Sequence, residues 1–82
     1  MLKPKSIQRQ AQKLGLTTRR EQLTGGDIGV FILLEQVIDG RARPVSEEAH
    51  NTMIKYLSRY KVPYEYRGNY TSIIITYKRE AM

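Results

Sequence analysis

The sequence predicts a single small α+β domain: an N-terminal helix, a central strand or hairpin, an amphipathic helix and a C-terminal β-hairpin. Three stretches carry this prediction. SEEAHNTMIKYLSRY repeats apolar residues at helical spacing behind a capping serine. YEYRGNYTSIIITYK alternates about a glycine–asparagine turn. VFILL, from Val30 to Leu34, is the continuous apolar run of a strand buried on both faces. A chain of 82 residues makes one domain near the small end of what folds alone, and its lack of cysteine excludes disulfides and thiolate metal sites. Within it, residues 1–23 read as a basic helix with a connector, and residues 27–79 as the core.

The first helix is predicted over PKSIQRQAQKLG, with Pro4 at an early helical position and Gly15 as its stop. Ile7, Ala11 and Leu14 form its apolar stripe, and Lys5, Arg9, Gln10 and Lys13 its solvent face. LTTRREQLTGG follows as a connector broken by a glycine pair. The segment Asp27 to Gly40 supports two readings. As a strand, GVFILL is central, Asp39-Gly40 is a hairpin turn and RARPV returns as an edge strand. As a helix, favoured by the adjacent Glu35-Gln36, it gives the order of a winged helix-turn-helix domain. That alternative places Glu47 and Glu48 at the start of the groove helix, where phosphates would repel them. We read the segment as a strand.

In the second helix Ser46 is the N-cap, and Glu47 and Glu48 suit the positive end of the helix dipole. Ala49, Met53, Leu57 and Tyr60, with Ile54 beside them, form the expected buried face, and Val62-Pro63 ends the helix. In the hairpin, Ile73, Ile75 and Tyr77 share one face, and Ile74, Thr76 and Lys78 the other. Met53, Ile54, Leu57, Ile73 and Ile75 are the predicted core. The tail REAM is expected to fray. Five of the six tyrosines lie between Tyr56 and Tyr70. Most are expected to line the core of a chain with one Phe and no Trp, while Tyr56 and Tyr70 are the expected contact rings.

No known catalytic arrangement emerges. His50 lies one helical turn from Glu47, but zinc needs more ligands than this pair, and no cofactor motif is present. The glycines form neither a dinucleotide fingerprint nor a phosphate loop, and no serine or threonine sits in a nucleophile elbow. An enzyme is not expected. VFILL is too short to span a bilayer, and MLKPKSIQRQ has a basic start with no apolar segment behind it, so no membrane partner and a cytoplasmic location are expected.

Charge is the remaining signal. The formal net charge is +6, and residues 1–23 hold +5 of it: Lys3, Lys5, Arg9, Lys13, Arg19 and Arg20 against Glu21. Such one-ended basicity points to an anionic partner, nucleic acid or an acidic host protein. Arg41, Arg43 and Arg67 fall at expected turns, where a planar guanidinium can bind phosphate through two parallel hydrogen bonds. PVSEEAHNTMIKYLSRYKVPYEYRGNYTSIIITYK resembles the helix-then-hairpin endings of small bacteriophage-encoded α+β proteins. The resemblance implies nucleic-acid binding or the disabling of a host protein. The expected function is a small basic nucleic-acid-binding module. The alternative is a protein-binding inhibitor or adaptor acting through a Tyr/Arg-rich surface or an open sheet edge. An apolar strand left on an edge would also invite a homodimer.

Overall fold

The computed structural model describes residues 2–79; the end of the tail expected to fray, residues 80–82, lies outside them. Helix α1 (Pro4–Lys13) leads to β1 (Thr18–Gln22), β2 (Ile28–Leu33), β3 (Glu35–Ile38), β4 (Arg41–Pro44), α2 (Glu47–Arg59), β5 (Glu65–Arg67) and β6 (Ser72–Tyr77). Strands β1, β2, β6 and β5, in that order, form one antiparallel sheet, and β3 with β4 forms a separate two-stranded arm. The domain is therefore α+β. The winged-helix alternative fails because the segment it needs as a helix is extended, with Val30 paired to Ile75 and Ile32 to Ile73.

Two expectations about the strands need correction. The segment expected as a connector contains β1, which pairs with β2 along five residues from Thr18↔Ile32 to Gln22↔Ile28. In addition, the Asp39-Gly40 turn does not return the chain alongside the central strand. β2 stops at a bend at Leu34, and the turn instead joins β3 to β4, with φ of 52° and 75° at its two residues. Positive φ at both turn positions is what a two-residue hairpin of natural twist requires.

Both helices cover one face of the sheet. Ile7 and Ala11 from α1, Met53 and Leu57 from α2, and Val30, Ile32, Ile73, Ile75 and Tyr77 from the central strands form one buried cluster. Ile54 packs at its margin, half-buried. Tyr60, expected in the core, is 44 % exposed, whereas Tyr56, expected outside, packs against the core. The reason lies at the end of α2. Tyr60 is the C-cap, and the following residues form a Schellman motif with Lys61 N–H to Ser58 O at 3.1 Å and Val62 N–H to Leu57 O at 2.8 Å. Val62 is thereby folded back into the core position that the helical stripe assigned to Tyr60.

The opposite face closes over a smaller cluster. A Cβ on Gly29 would lie 3.2 Å from the side chains of Leu23, Phe31 and Ile74, so the absence of a side chain there is what leaves room for these three over the strand. Both central strands are paired on either side, which leaves β1 and β5 as the edges of this sheet. β1 is charged and β5 is three residues long, two ways in which edges resist further pairing. The apolar strand that would have invited a dimer is thus internal.

Candidate nucleic-acid interface

Four connections meet at one end of the sheet. Leu33, the last residue of β2, is paired with Ser72 of β6, and its N–H donates to Thr17 O at 2.9 Å. The N–H of Leu34 donates to Thr71 O at 2.9 Å, and Val45 N–H returns to Leu34 O at 2.9 Å. These bonds bring together the α1–β1 link, the base of the arm, the start of α2 and the β5–β6 turn. A cleft of 660 Å³ opens there between the sheet and the arm, lined by Thr17, Arg19, Leu33, Val37, Ala42 and Ser72 among others.

All eight residues of the arm's strands are exposed, and Val37 is 76 % exposed. Its register pairs Gln36 with Arg43 and Ile38 with Arg41. Because opposed residues of an antiparallel pair share a face, Gln36, Ile38, Arg41 and Arg43 form one surface. Val37 and Ala42 belong to the other surface and line the cleft. The arginines expected at a turn are therefore set in register along a projecting ribbon.

The cations of the first 23 residues separate into distinct groups. Lys5, Arg9 and Lys13 recur every fourth residue along the exposed side of α1, with exposed Lys3 at its N-cap. Arg19 and Arg20, adjacent in sequence, go to opposite faces because they lie on a strand. Arg19 pairs with Glu21 at 3.0 Å, and its guanidinium lies 5.5 Å from the centre of the Phe31 ring. Arg20 donates to Gln8 Oε1 at 2.7 Å, and Gln8 Nε2 donates to Thr18 Oγ1 at 3.1 Å, which ties β1 to α1. Arg67 is set in β5 and stands 3.7 Å from Glu65. Among the described residues, no carboxylate pairs with Lys3, Lys5, Arg9, Lys13, Arg20, Arg41 or Arg43.

The tyrosines form two groups. Tyr56 and Tyr60 lie 5.0 Å apart between ring centres, with Arg59 over the Tyr60 ring at 5.5 Å. Burial raises the Tyr56 phenol above its ordinary pKa, and Tyr60 adds to the rise. Tyr66 is the hub of the second group: its hydroxyl meets His50 Nε2 at 2.9 Å, and its ring contacts His50, Tyr64 and Tyr70. Burial, then Tyr64 and Tyr70, raise its pKa. Tyr70 is 71 % exposed at the β5–β6 turn. Tyr77 is buried beneath the helices, its hydroxyl donating to Leu2 O. Burial pushes its pKa up to about 12, opposed by Arg20 and assisted by Tyr56.

Among the described residues no three His, Asp or Glu side chains converge as metal ligands, and no helix is long and apolar enough to cross a membrane. The sequence reading did not place Gln36, Val37 and Ile38 on the exposed arm. Their signal was the Glu35-Gln36 interruption, which marks the end of the buried strand. No family model matches the chain, and neither a curated protein nor a solved structure matches it.

Proposed function

We propose that the protein is a small basic nucleic-acid-binding module, with α1 supplying phosphate attraction and the β3–β4 arm supplying directed contact. The observation that carries this reading is the set of exposed cations on these two elements that have no carboxylate partner among the described residues. Lys5, Arg9 and Lys13 form a line along α1 that no acidic residue of the helix interrupts. The arm is electrically balanced, with Glu35 and Asp39 against Arg41 and Arg43. It therefore adds little net attraction, but a two-stranded ribbon has the width to enter a duplex major groove, and its arginine forks suit phosphate or guanine edges. No catalytic step belongs to this proposal.

The test is an anisotropy titration against duplex and single-stranded oligonucleotides over a salt series. The wild type is expected to bind with affinity that falls steeply as salt rises, because phosphate contacts release counterions. Replacing Lys5, Arg9 and Lys13 together by Gln leaves the buried stripe intact. It is expected to weaken binding to all sequences and to flatten the logarithmic salt slope by up to about 0.9 per lost duplex contact. Arg41→Lys with Arg43→Lys is expected to weaken binding while leaving the slope nearly unchanged. Wild type that binds neither form at low salt defeats the proposal. The protein-binding reading, favoured by the exposure of Val37 and Tyr70, then takes its place.

A further inference from the structure

Among the described residues, four other than glycine hold positive φ: Asp39, Lys61, Asn69 and Tyr70. Three have a local explanation. Aspartate and asparagine enter the left-handed region at low cost, since their short side chains can bond locally. Lys61 stands where the cap of α2 demands that conformation. Tyr70 has no such account: it is a bulky aromatic residue at φ 68°, following Gly68 at 61° and Asn69 at 59°.

The turn is closed without the Tyr70 side chain. Thr71 N–H donates to Arg67 O at 3.1 Å and to Gly68 O at 3.2 Å, and the Thr71 hydroxyl donates to Gly68 O at 2.7 Å. What holds the Tyr70 ring is Tyr66, with ring centres 4.9 Å apart and planes inclined at 50°. Tyr66 is itself braced by the His50 hydrogen bond and by edge contacts from His50 and Tyr64, each at 5.8 Å. A strained backbone thus presents a supported ring to solvent rather than burying it. Residues held in sparsely populated conformations concentrate at ligand clamps, where the surrounding structure fixes them.

We infer that Tyr70 is a stacking platform for an unpaired nucleobase. The inference rests on the nucleic-acid reading and adds a site to it. Stacking needs a rigid aromatic face, which the Tyr66 brace supplies, and a nearby cation for the backbone. The arm carrying Arg41 and Arg43, which have no carboxylate partner among the described residues, springs from the same end of the sheet and supplies that cation. Arg67, by contrast, alternates to the face of β5 opposite Tyr66, beside Glu65. Every base has a π-face, so this contact tolerates sequence and discriminates strandedness instead.

The test uses a short fluorescein-labelled oligothymidylate and a blunt duplex of the same length, titrated with wild type, Tyr70→Gly and Tyr70→Trp. Tyr70→Gly removes the ring and relieves the backbone, so its melting temperature is expected to match or exceed that of the wild type. Its affinity for oligothymidylate is expected to fall roughly 5- to 150-fold, with the salt slope and duplex affinity unchanged. Tyr70→Trp places the chain's one tryptophan at the platform and is expected to retain affinity, with emission quenched on saturation. Wild-type affinity in Tyr70→Gly, equal losses on both ligands, or unquenched Tyr70→Trp emission would overturn the inference while leaving the broader reading standing. So would wild type that binds duplex alone. Wild type that binds neither ligand removes both. Should the glycine variant not fold, Tyr70→Asn serves in its place; failure of that variant to fold would show the ring to be structural and also overturn the inference.

Discussion

The two helices end in the same hydrogen-bonded motif with different residues at its left-handed position, which makes a paired experiment. After α1, Gly15 holds φ 78°, with Gly15 N–H to Gln12 O at 3.0 Å and Leu16 N–H to Ala11 O at 2.9 Å. After α2, Lys61 holds φ 54° in the same pattern. A left-handed residue with a Cβ costs about 1–2 kcal/mol, while glycine loses about 0.5–1 kcal/mol more chain entropy on folding. Lys61→Gly is therefore expected to stabilise the domain by about 0.5–1 kcal/mol. At about 4–8 °C per kcal/mol for a domain of this size, the melting temperature should rise by about 2–8 °C. Gly15→Ala should lower it by a comparable amount, and purely through the backbone, since nothing lies within 4 Å of the added Cβ. Calorimetry of both variants, with Lys61→Ala to isolate the loss of charge, gives the answer. A Lys61→Gly melting temperature at or below that of Lys61→Ala would refute the reasoning, because only the glycine relieves the strain.

Two further outcomes follow from the core. Leu57 is fully buried between helix and sheet, so Leu57→Ala is expected to cost about 2–5 kcal/mol in a urea melt, and a loss under about 0.5 kcal/mol would contradict the packing. Tyr77 titrates at about 12 when folded, against about 10 when unfolded. Its contribution is complete below pH 10 and lost as pH rises through 12, amounting to about 2–3 kcal/mol. Tyr77→Phe should flatten stability across that window, as measured by denaturant midpoints at stepped pH; an unchanged profile would place the titration elsewhere.

Much of the fold was legible because several local signals agreed. The Ser46 hydroxyl accepts from Ala49 N–H at 3.1 Å, as its position before Glu47 and Glu48 indicated. The alternation of Ile73, Ile75 and Tyr77 gives the inward face of β6. β1 was not legible because it is an edge strand: Thr18 is half-buried and the four residues after it are exposed, so no apolar period marks it. Its order comes from pairing with β2, a tertiary cause that composition does not record. The separation of β3 from β2 was hidden for a related reason. Leu34 continues the apolar run in sequence while the backbone bends there, and its burial does not distinguish a strand from a strand's end. For the candidate site, residue types were readable and neighbours were not. Adjacent Arg19 and Arg20 look like one cationic tip until strand geometry sends them to opposite faces.

The arm poses the sharper physical question, because two different pressures could place arginine there. A freestanding pair of strands is marginal in water and exposes edges that invite pairing with another chain. This one is fastened at its base by Leu34 and Val45 and closed at its tip by the Asp39-Gly40 turn. Its exposed Val37 and Ile38 make charged gatekeepers useful, and Arg41 and Arg43 meet that need. Gatekeeping, however, requires only a solvated charge and side-chain bulk, which lysine provides equally well. What arginine adds is a planar fork that forms two parallel hydrogen bonds to a phosphate or a guanine edge. Two residues apart on one strand, Arg41 and Arg43 set both forks on one surface of the ribbon, opposite Ile38 and Gln36. Solubility alone does not call for that coincidence of fork chemistry and shared face, whereas a ribbon laid against a nucleic acid uses both.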